Sequence, residues 1–190
     1  MKEIRIHGRG GQGAVTTSQL LAIAAFHDGK RAQAFPAFGV ERRGAPVQAF
    51  TRISETEIKT RQQVYEPDYV IVLDASLCAS VDVAEGIKKR GLIIVNSDKG
   101  AKDLGLKGKD YTAHTINVTK AALDVIGKPF VNTGIIGAFA GLTRELSLNA
   151  LEKAIDERFE GKKEVAEKNK EVIRLLYNQC TELGKCKIKK

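Results

Sequence analysis

The sequence has few of the residues from which metal and redox centres are built. Among its 190 residues there are three cysteines and three histidines. The cysteines, Cys78, Cys180 and Cys186, show no C-x-x-C spacing, so neither a zinc site nor an iron–sulfur cluster is predicted on this chain. A chain of this length buries enough surface to fold without disulfides. We therefore expect Cys78 and Cys180 to be free thiols.

Long apolar runs and tryptophan are also missing. No apolar run approaches the ~20 residues of a membrane helix, and the first residues, which include Glu3, lack the apolar region of a secretion signal. We therefore expect a cytoplasmic protein that is not bound to a membrane. The net charge of +8 favours acidic or phosphorylated partners. An aromatic content of 6% and the lack of a recognisable binding module argue against nucleic acid.

A complete catalytic set is absent as well. The chain has no G-x-S-x-G, no H-E-x-x-H and no paired-carboxylate pattern. His7 is the histidine nearest a glycine-rich turn, and a structural role is favoured for it as for His27 and His114. Asp74 follows an apolar strand, where α/β proteins bind ligands, and it suits a helix cap equally well. A self-sufficient active site is therefore not predicted.

The glycine-rich turn is the strongest feature that is present. A short strand at Ile4–Ile6 leads into Gly8-Arg9-Gly10-Gly11-Gln12-Gly13, and a helix is predicted over 14–28. The spacing G-x-G-x-x-G before a helix favours an anion beside the helix start. A dinucleotide site also needs an acid about 20 residues further on, and the region of Gln33 contains none. A stand-alone nucleotide-dependent oxidoreductase is therefore the weaker alternative.

The second unusual stretch is the eleven-residue loop Pro36–Pro46, which contains the adjacent pair Arg42 and Arg43. A helix N-terminus contributes at most ~2 kcal/mol to a bound anion, whereas micromolar binding needs roughly 8 kcal/mol. The turn therefore needs further donors. Arg9, Arg42 and Arg43 are the candidates, because guanidinium groups bind phosphate in a bidentate manner.

Alternating strands and helices predict one domain over residues 1–190. Its expected class is α/β, three-layer, with a mixed sheet, a Rossmann-like N-terminal βα unit and a helical C-terminal third. Other predicted strands are 31–35, 47–53 with a hairpin partner at 57–59, 69–73, 92–95 and 111–116. Other predicted helices are 75–90, 117–126, one capped by Asn132 and Thr133 that ends at Leu142, 148–158 capped by Ser147, and 162–183.

Two features of the helical third carry packing predictions. Gly134, Gly137 and Gly141 lie in one helix and each cost it about 1 kcal/mol of helix propensity, which is tolerable if another backbone packs on that face. Asn169 lies on the inward stripe of the last helix, where we expect it to be hydrogen-bonded in the core.

The two N-terminal motifs resemble a known family. Ile6–Thr16 and Gln33–Pro46 are closely similar to the gamma subunit of 2-oxoacid:ferredoxin oxidoreductases, most of all the pyruvate type. Further matches are Glu66-Pro67-Asp68, Val131-Asn132-Thr133-Gly134, Gly137-Ala138-Phe139 and Asn169. The resemblance covers essentially the whole chain.

The resemblance implies a subunit that is not catalytic alone. The complex oxidises pyruvate with coenzyme A to acetyl-CoA and carbon dioxide and reduces ferredoxin, or runs in reverse. The implied partners are alpha, beta and delta subunits, which would hold thiamine diphosphate, magnesium and the iron–sulfur clusters. This chain would help to bind or gate coenzyme A. The residues predicted to meet coenzyme A phosphates or a partner subunit are Gly8, Arg9, Gly10, Gly11, Gln12, Gly13, Arg42 and Arg43.

The substrate and the exact role stay open at this point. A branched-chain 2-oxoacid such as ketoisovalerate, 2-oxoglutarate or indolepyruvate could replace pyruvate, because other subunits largely determine that choice. A purely structural assembly subunit without ligand contact is the other alternative.

Overall fold

The computed structural model describes residues 1–37 and 43–185. These residues form a mixed sheet of six strands together with five α-helices. The strands are β1 (Lys2–Arg9), β2 (Arg31–Pro36), β3 (Pro46–Ser54), β4 (Tyr69–Val72), β5 (Gly91–Asn96) and β6 (Tyr111–Ile116). The helices are α1 (Ala14–His27), α2 (Val118–Ile126), α3 (Val131–Thr143), α4 (Leu148–Arg158) and α5 (Lys163–Lys185).

The sheet has the strand order β2-β3-β1-β4-β5-β6. Strands β1, β4, β5 and β6 pair in parallel, whereas β3 pairs antiparallel with both β1 and β2. The hairpin partner of β3 is therefore β2, and the predicted strand at 57–59 is wrong. Since β3 already has a strand on each side, no sheet position is left beside it for these residues.

Helices cover one face of the sheet. Ile4 and Ile6 of β1 point to that face and join a core cluster with residues of α1, α3, α4 and α5. Helix α3 is buried along most of its length and packs mainly against α5, while α4 packs on α1. Because α3 is apolar on nearly all sides, it lies between the sheet and α5 rather than at the surface.

The opposite face is covered by a 3-10 helix, Ala75–Ala79, and by turns. Val70, Val72, Ile93 and Val95 pack there against Leu77 and Val83. The predicted helix over 75–90 is wrong. Asp82 accepts a hydrogen bond from the Ala84 amide at 3.0 Å, which favours a turn. Gly86 has a φ of +66° and lies against the Tyr65 carbonyl, so a helix cannot continue through it.

Gly137 and Gly141 of α3 lie against the backbone of α5, as the packing prediction required, while Gly134 faces side chains. A Cβ atom at Gly137 would lie 2.5 Å from the Ile173 carbonyl oxygen, and one at Gly141 would meet the Tyr177 carbonyl. Asn169 is buried and hydrogen-bonded, which confirms its predicted core position. It accepts a bond from Thr133 Oγ1 at 2.6 Å and donates to the Val165 carbonyl at 2.8 Å.

The caps are partly as predicted. Ser147 accepts from the Ala150 amide and caps α4. Asn132 and Thr133 do not cap α3, whose N-cap position is Phe130. Thr133 is instead used by Asn169 inside the core. Cys78 and Cys180 are free thiols, while Cys186 lies outside the described residues.

The predicted three-layer α/β class is confirmed, with its mixed sheet, its N-terminal βα unit and its helical C-terminal part. Within residues 1–37 and 43–185, none of the helices has the length and apolar character to span a membrane.

Candidate functional site

The glycine-rich turn lies at the carboxyl end of β1, between β3 and β4. From β1 the chain crosses by α1 to β2 on one side of the sheet, and it later returns to β4 on the other side. The strand order therefore reverses at this point. Open α/β sheets bind their ligands at such a switch point, outside the carboxyl ends of the strands.

The glycines let the turn pack closely. Gly13 has a φ of +86° and forms the N-cap of α1, and a Cβ atom there would lie 2.7 Å from Asn132 Nδ2. Thr17 Oγ1 donates to the Asn132 carbonyl at 3.0 Å. The start of α1 is thus held against the start of α3, and only glycine fits at the contact.

Arg9 turns its guanidinium towards the protein. Its Nε donates to Asp74 Oδ2 at 3.2 Å, its Nη1 to the Gly44 carbonyl at 3.1 Å and its Nη2 to Ser76 Oγ at 2.8 Å. An incoming anion would have to compete with Asp74 for this side chain. The predicted donor Arg9 is therefore placed at the turn, but it is already occupied.

Gln12 closes the turn. Its Oε1 accepts from the Arg9 amide at 2.8 Å and its Nε2 donates to Asp74 Oδ2 at 2.8 Å. Partial burial opposes ionisation of Asp74, but hydrogen bonds from Ser76 and Gln12, together with the Arg9 charge, lower its pKa overall. Asp74 also accepts from the Ser76 amide and caps the 3-10 helix, which is the cap role predicted for it.

The second motif lies beside the first. Gly10 and Arg43 form a parallel β-bridge. The Gly10 amide donates to the Ala45 carbonyl at 2.9 Å, and the Gly44 amide donates to the Gly10 carbonyl at 3.0 Å. Arg43 is exposed at this junction, whereas Arg42 lies outside the described residues. Sequence positions more than 30 residues apart thus form one surface.

A cleft of about 1120 Å³ opens on the other side of the turn, along the carboxyl ends of the parallel strands. Its ionisable lining groups are Asp74, Asp98, Asp124 and Lys120, and Lys120 is already paired with Asp124 at 2.8 Å. The lining is therefore net negative. A phosphate is favoured on the side of the turn that carries Arg43.

Neutral side chains complete this cleft. Asn96 donates to the Leu73 carbonyl and to Thr119 Oγ1 and so joins the ends of β4 and β5 to α2. Leu123 and Phe130 line the cleft and are 47% and 48% exposed. These half-exposed apolar groups give the cleft an amphipathic character.

His7 is buried and does not line the cleft. It is 2% exposed and accepts a hydrogen bond from Arg5 Nε at 3.1 Å. Burial and, to a smaller extent, the Arg5 charge lower the pKa of His7 to about 3. The side chain is therefore neutral near pH 7, which agrees with the structural role predicted for it.

The family is decided by a comparison of the whole chain. Residues 3–179 match the model of the pyruvate ferredoxin/flavodoxin oxidoreductase family. The chain belongs to this family. Within the part of the chain that the structure describes, no group of three or more His, Cys, Asp or Glu side chains is placed to hold a metal ion.

Individual members of the family are similar over nearly their full length. Pyruvate synthase subunit PorC of Methanocaldococcus jannaschii is 56% identical over 94% of this chain and 97% of its own. The pyruvate/ketoisovalerate oxidoreductases common subunit gamma of Pyrococcus furiosus is 48% identical over 94% and 97%. The crystal structure of pyruvate oxidoreductase subunit PORC from Thermotoga maritima superimposes with a TM-score of 0.81, at 38% identity over 93% and 95%. The gamma-subunit resemblance is thereby confirmed.

Some groups at this family member's site were not singled out from sequence. Ser76 is one such group: its hydroxyl accepts from Arg9 and donates to Asp74. Asn132, predicted as a cap, packs on Gly13 instead. The one sequence signal for this site is position, since Asp74 lies shortly after β4 and Asn96 ends β5, both at the carboxyl ends of parallel strands.

Proposed function

We propose that this chain is the gamma subunit of an enzyme that oxidatively decarboxylates pyruvate with coenzyme A, forming acetyl-CoA and carbon dioxide and reducing ferredoxin, or that runs the reverse synthesis. The observation that carries the proposal is the full-length match at 56% identity to a pyruvate synthase subunit. The keto-acid chemistry belongs to thiamine diphosphate, magnesium and iron–sulfur clusters on the alpha, beta and delta subunits.

The contribution of this chain is to bind or gate coenzyme A. Coenzyme A carries a pyrophosphate and a 3′-phosphate, and exposed Arg43 beside the amide of Gly10 offers a suitable charge. The start of α1 adds a positive partial charge behind the turn. Arg9 has a structural role at this surface, because its own donors are already bonded to Asp74, Ser76 and Gly44.

Replacement of Arg43 by alanine in the assembled enzyme tests this contact. A charge-assisted hydrogen bond to phosphate is worth about 1.5–3 kcal/mol, so the KM for coenzyme A is expected to rise at least about tenfold. The KM for pyruvate is expected to stay the same. Arg61→Ala is the matched control. Arg61 is exposed and lies in the coil segment next to Gln62, which contacts Arg52 at the end of β3 far from the glycine-rich turn.

An unchanged KM for coenzyme A in Arg43→Ala would remove the ligand contact. If subunit assembly were also normal, the surface would have neither predicted role. If assembly alone were lost, the purely structural alternative would replace the coenzyme A proposal.

A subunit shared between two enzymes is a second candidate. The Pyrococcus furiosus relative is named as common to pyruvate and ketoisovalerate oxidoreductases. Purification of the native complex through a tag on this chain separates the two cases. Activity with pyruvate alone supports a dedicated subunit, whereas activity with pyruvate and ketoisovalerate, carried by two sets of partner subunits, supports a shared one. Activity with 2-oxoglutarate or indolepyruvate alone would contradict both.

A further inference from the structure

Asp74 accepts four hydrogen bonds at the end of β4. Its Oδ2 receives Arg9 Nε at 3.2 Å and Gln12 Nε2 at 2.8 Å. Its Oδ1 receives the Ser76 amide at 3.0 Å and the Ser76 hydroxyl at 2.6 Å. The side chain is 23% exposed, so these contacts are only partly screened by solvent.

The donors to Asp74 come from both sides of the site. Arg9 and Gln12 belong to the glycine-rich turn, and Ser76 belongs to the 3-10 helix that follows β4. Arg9 also reaches the Gly44 carbonyl with Nη1, next to exposed Arg43. One carboxylate is therefore connected, directly or through Arg9, to the turn, to the 43–46 segment and to β4.

We infer that Asp74 is a positioning residue, which holds the glycine-rich turn and the 43–46 segment in the one relative arrangement that presents Arg43 to coenzyme A. The inference rests on the proposed function for its link to coenzyme A. Its structural part, the coupling of the two segments, stands on the hydrogen bonds alone.

The arrangement requires an ionised carboxylate with both oxygens accepting. Replacement by asparagine keeps the size and one acceptor but puts an amide N–H₂ in place of the other. That group would face either the Arg9 and Gln12 donors or the Ser76 donors, so two of the four bonds are lost in either orientation. Two donors that face each other at this partly buried position are unfavourable, and the turn would move away from β4.

Asp74→Asn in the assembled enzyme, with Asp156→Asn as matched control, tests the inference. Asp156 is an exposed carboxylate of α4 that pairs with Lys170 at 2.8 Å. For Asp74→Asn, amide hydrogen exchange at Gly10 and Gly44 is expected to be about tenfold faster or more. The KM for coenzyme A is expected to rise about tenfold while the KM for pyruvate is kept. Asp156→Asn is expected to change neither quantity.

The hydrogen-exchange measurement tests whether Asp74 positions the two segments. The KM measurement tests whether that positioning affects coenzyme A. Unchanged exchange at Gly10 and Gly44 in Asp74→Asn would overturn the inference, even if Arg43→Ala raised the KM for coenzyme A. Faster exchange confined to the 3-10 helix would overturn it also, since Asp74 would then be a cap only. If exchange rises but neither variant changes that KM, the coupling is upheld and the proposed coenzyme A contact falls.

Discussion

Arg5 and His7 of β1 are polar but buried, and the neighbouring sequence does not indicate their burial. The alternation of β1 predicts that Arg5 and His7 share a face, but not that this face is buried. Arg5 is 5% exposed and donates to the carbonyls of Val83 and Glu85 as well as to His7. A charge in this position is unusual, and only the distant segment at 83–85 explains it.

His7 makes the stability of the fold dependent on pH. Its folded pKa of about 3 lies below its ordinary value of 6.5, so the unfolded chain binds the proton more tightly. The stabilising contribution is complete above pH 6.5 and is lost as the pH falls towards 3, with a slope of up to about 1.4 kcal/mol per pH unit.

Chemical denaturation of wild type and His7→Gln between pH 7 and pH 4 measures this slope. The variant, which has no titrating ring, is expected to lose stability less steeply as the pH falls. Parallel curves for the two proteins would show that His7 is not protonated on unfolding, contrary to this account.

In the glycine-rich turn, too, the sequence predicts the local conformation but not the contacts with distant residues. The G-x-G-x-x-G spacing predicted Gly13 at the start of α1, because a left-handed backbone is needed there. The contact that excludes a side chain comes from Asn132, far along the chain. Likewise the guanidinium of Arg9 makes it a candidate anion donor in the sequence, whereas its partner Asp74 is found only when β4 is placed beside β1.

At the scale of elements, the pairing of α3 and α5 follows from a pattern that the sequence displays. Gly134, Gly137 and Gly141 form a stripe that is costly in an isolated helix. The stripe predicted a close neighbour but not its identity. For Gly137 and Gly141 the neighbour is the backbone of α5, and Gly137 faces the Ile173 carbonyl directly, whereas Gly134 meets side chains.

Gly137→Ala is therefore expected to destabilise the chain, although the same change stabilises most helices by about 0.4–1 kcal/mol. Forcing apart two packed backbones costs about 1–3 kcal/mol or more. Gly184→Ala, near the end of α5, is the control, since a Cβ atom there meets nothing closer than 3.8 Å. Thermal unfolding should give a lower midpoint for Gly137→Ala and an equal or higher one for Gly184→Ala. Equal midpoints for both variants would refute the close packing.

Sequence patterns predicted a helix over 75–90 that the fold does not contain. Residues 75–90 have helical apolar spacing, yet only Ala75–Ala79 is helical, as a 3-10 helix. Local bonds of Asp82 and the left-handed Gly86 outweigh the periodicity. The error at 57–59 has another origin, because strand-like alternation does not reveal that both sides of β3 are already occupied.

At the scale of the whole molecule, the two faces of the sheet are held by different forces. The helical face is an apolar core, which hydrophobic periodicity predicts well. The opposite face, called the coil face here because turns and coil cover most of it, has a second, smaller apolar cluster over β4 and β5. It is also secured by arginines that reach out of β1 and β3. Arg52 of β3 is 1% exposed and donates to the carbonyls of Gln62 and Gln63 and to Glu3 Oε1. No local pattern indicates such long-range bonds.

Arg52→Met tests whether this single side chain fastens the coil face. Methionine fills much of the same volume, but the two carbonyls and Glu3 lose their donor, and removing one partner of a buried ion pair costs about 3–5 kcal/mol. Glu3 keeps Lys88 at 3.3 Å, which places the expected loss at the lower end of that range.

Limited trypsin digestion, hydrogen exchange and urea unfolding together locate the effect of Arg52→Met. Cleavage at Lys59 and Arg61, which lie just before the two residues whose carbonyls Arg52 binds, should become faster, while the amides of α3 and α5 keep their protection below the unfolding midpoint, because the helical core does not depend on Arg52. Arg174→Met is the matched control: Arg174 pairs with Glu152 but is 43% exposed, so its loss should cost about 1 kcal/mol or less. Equal losses for the two variants, with unchanged cleavage at Lys59 and Arg61, would mean that apolar packing alone holds the coil face.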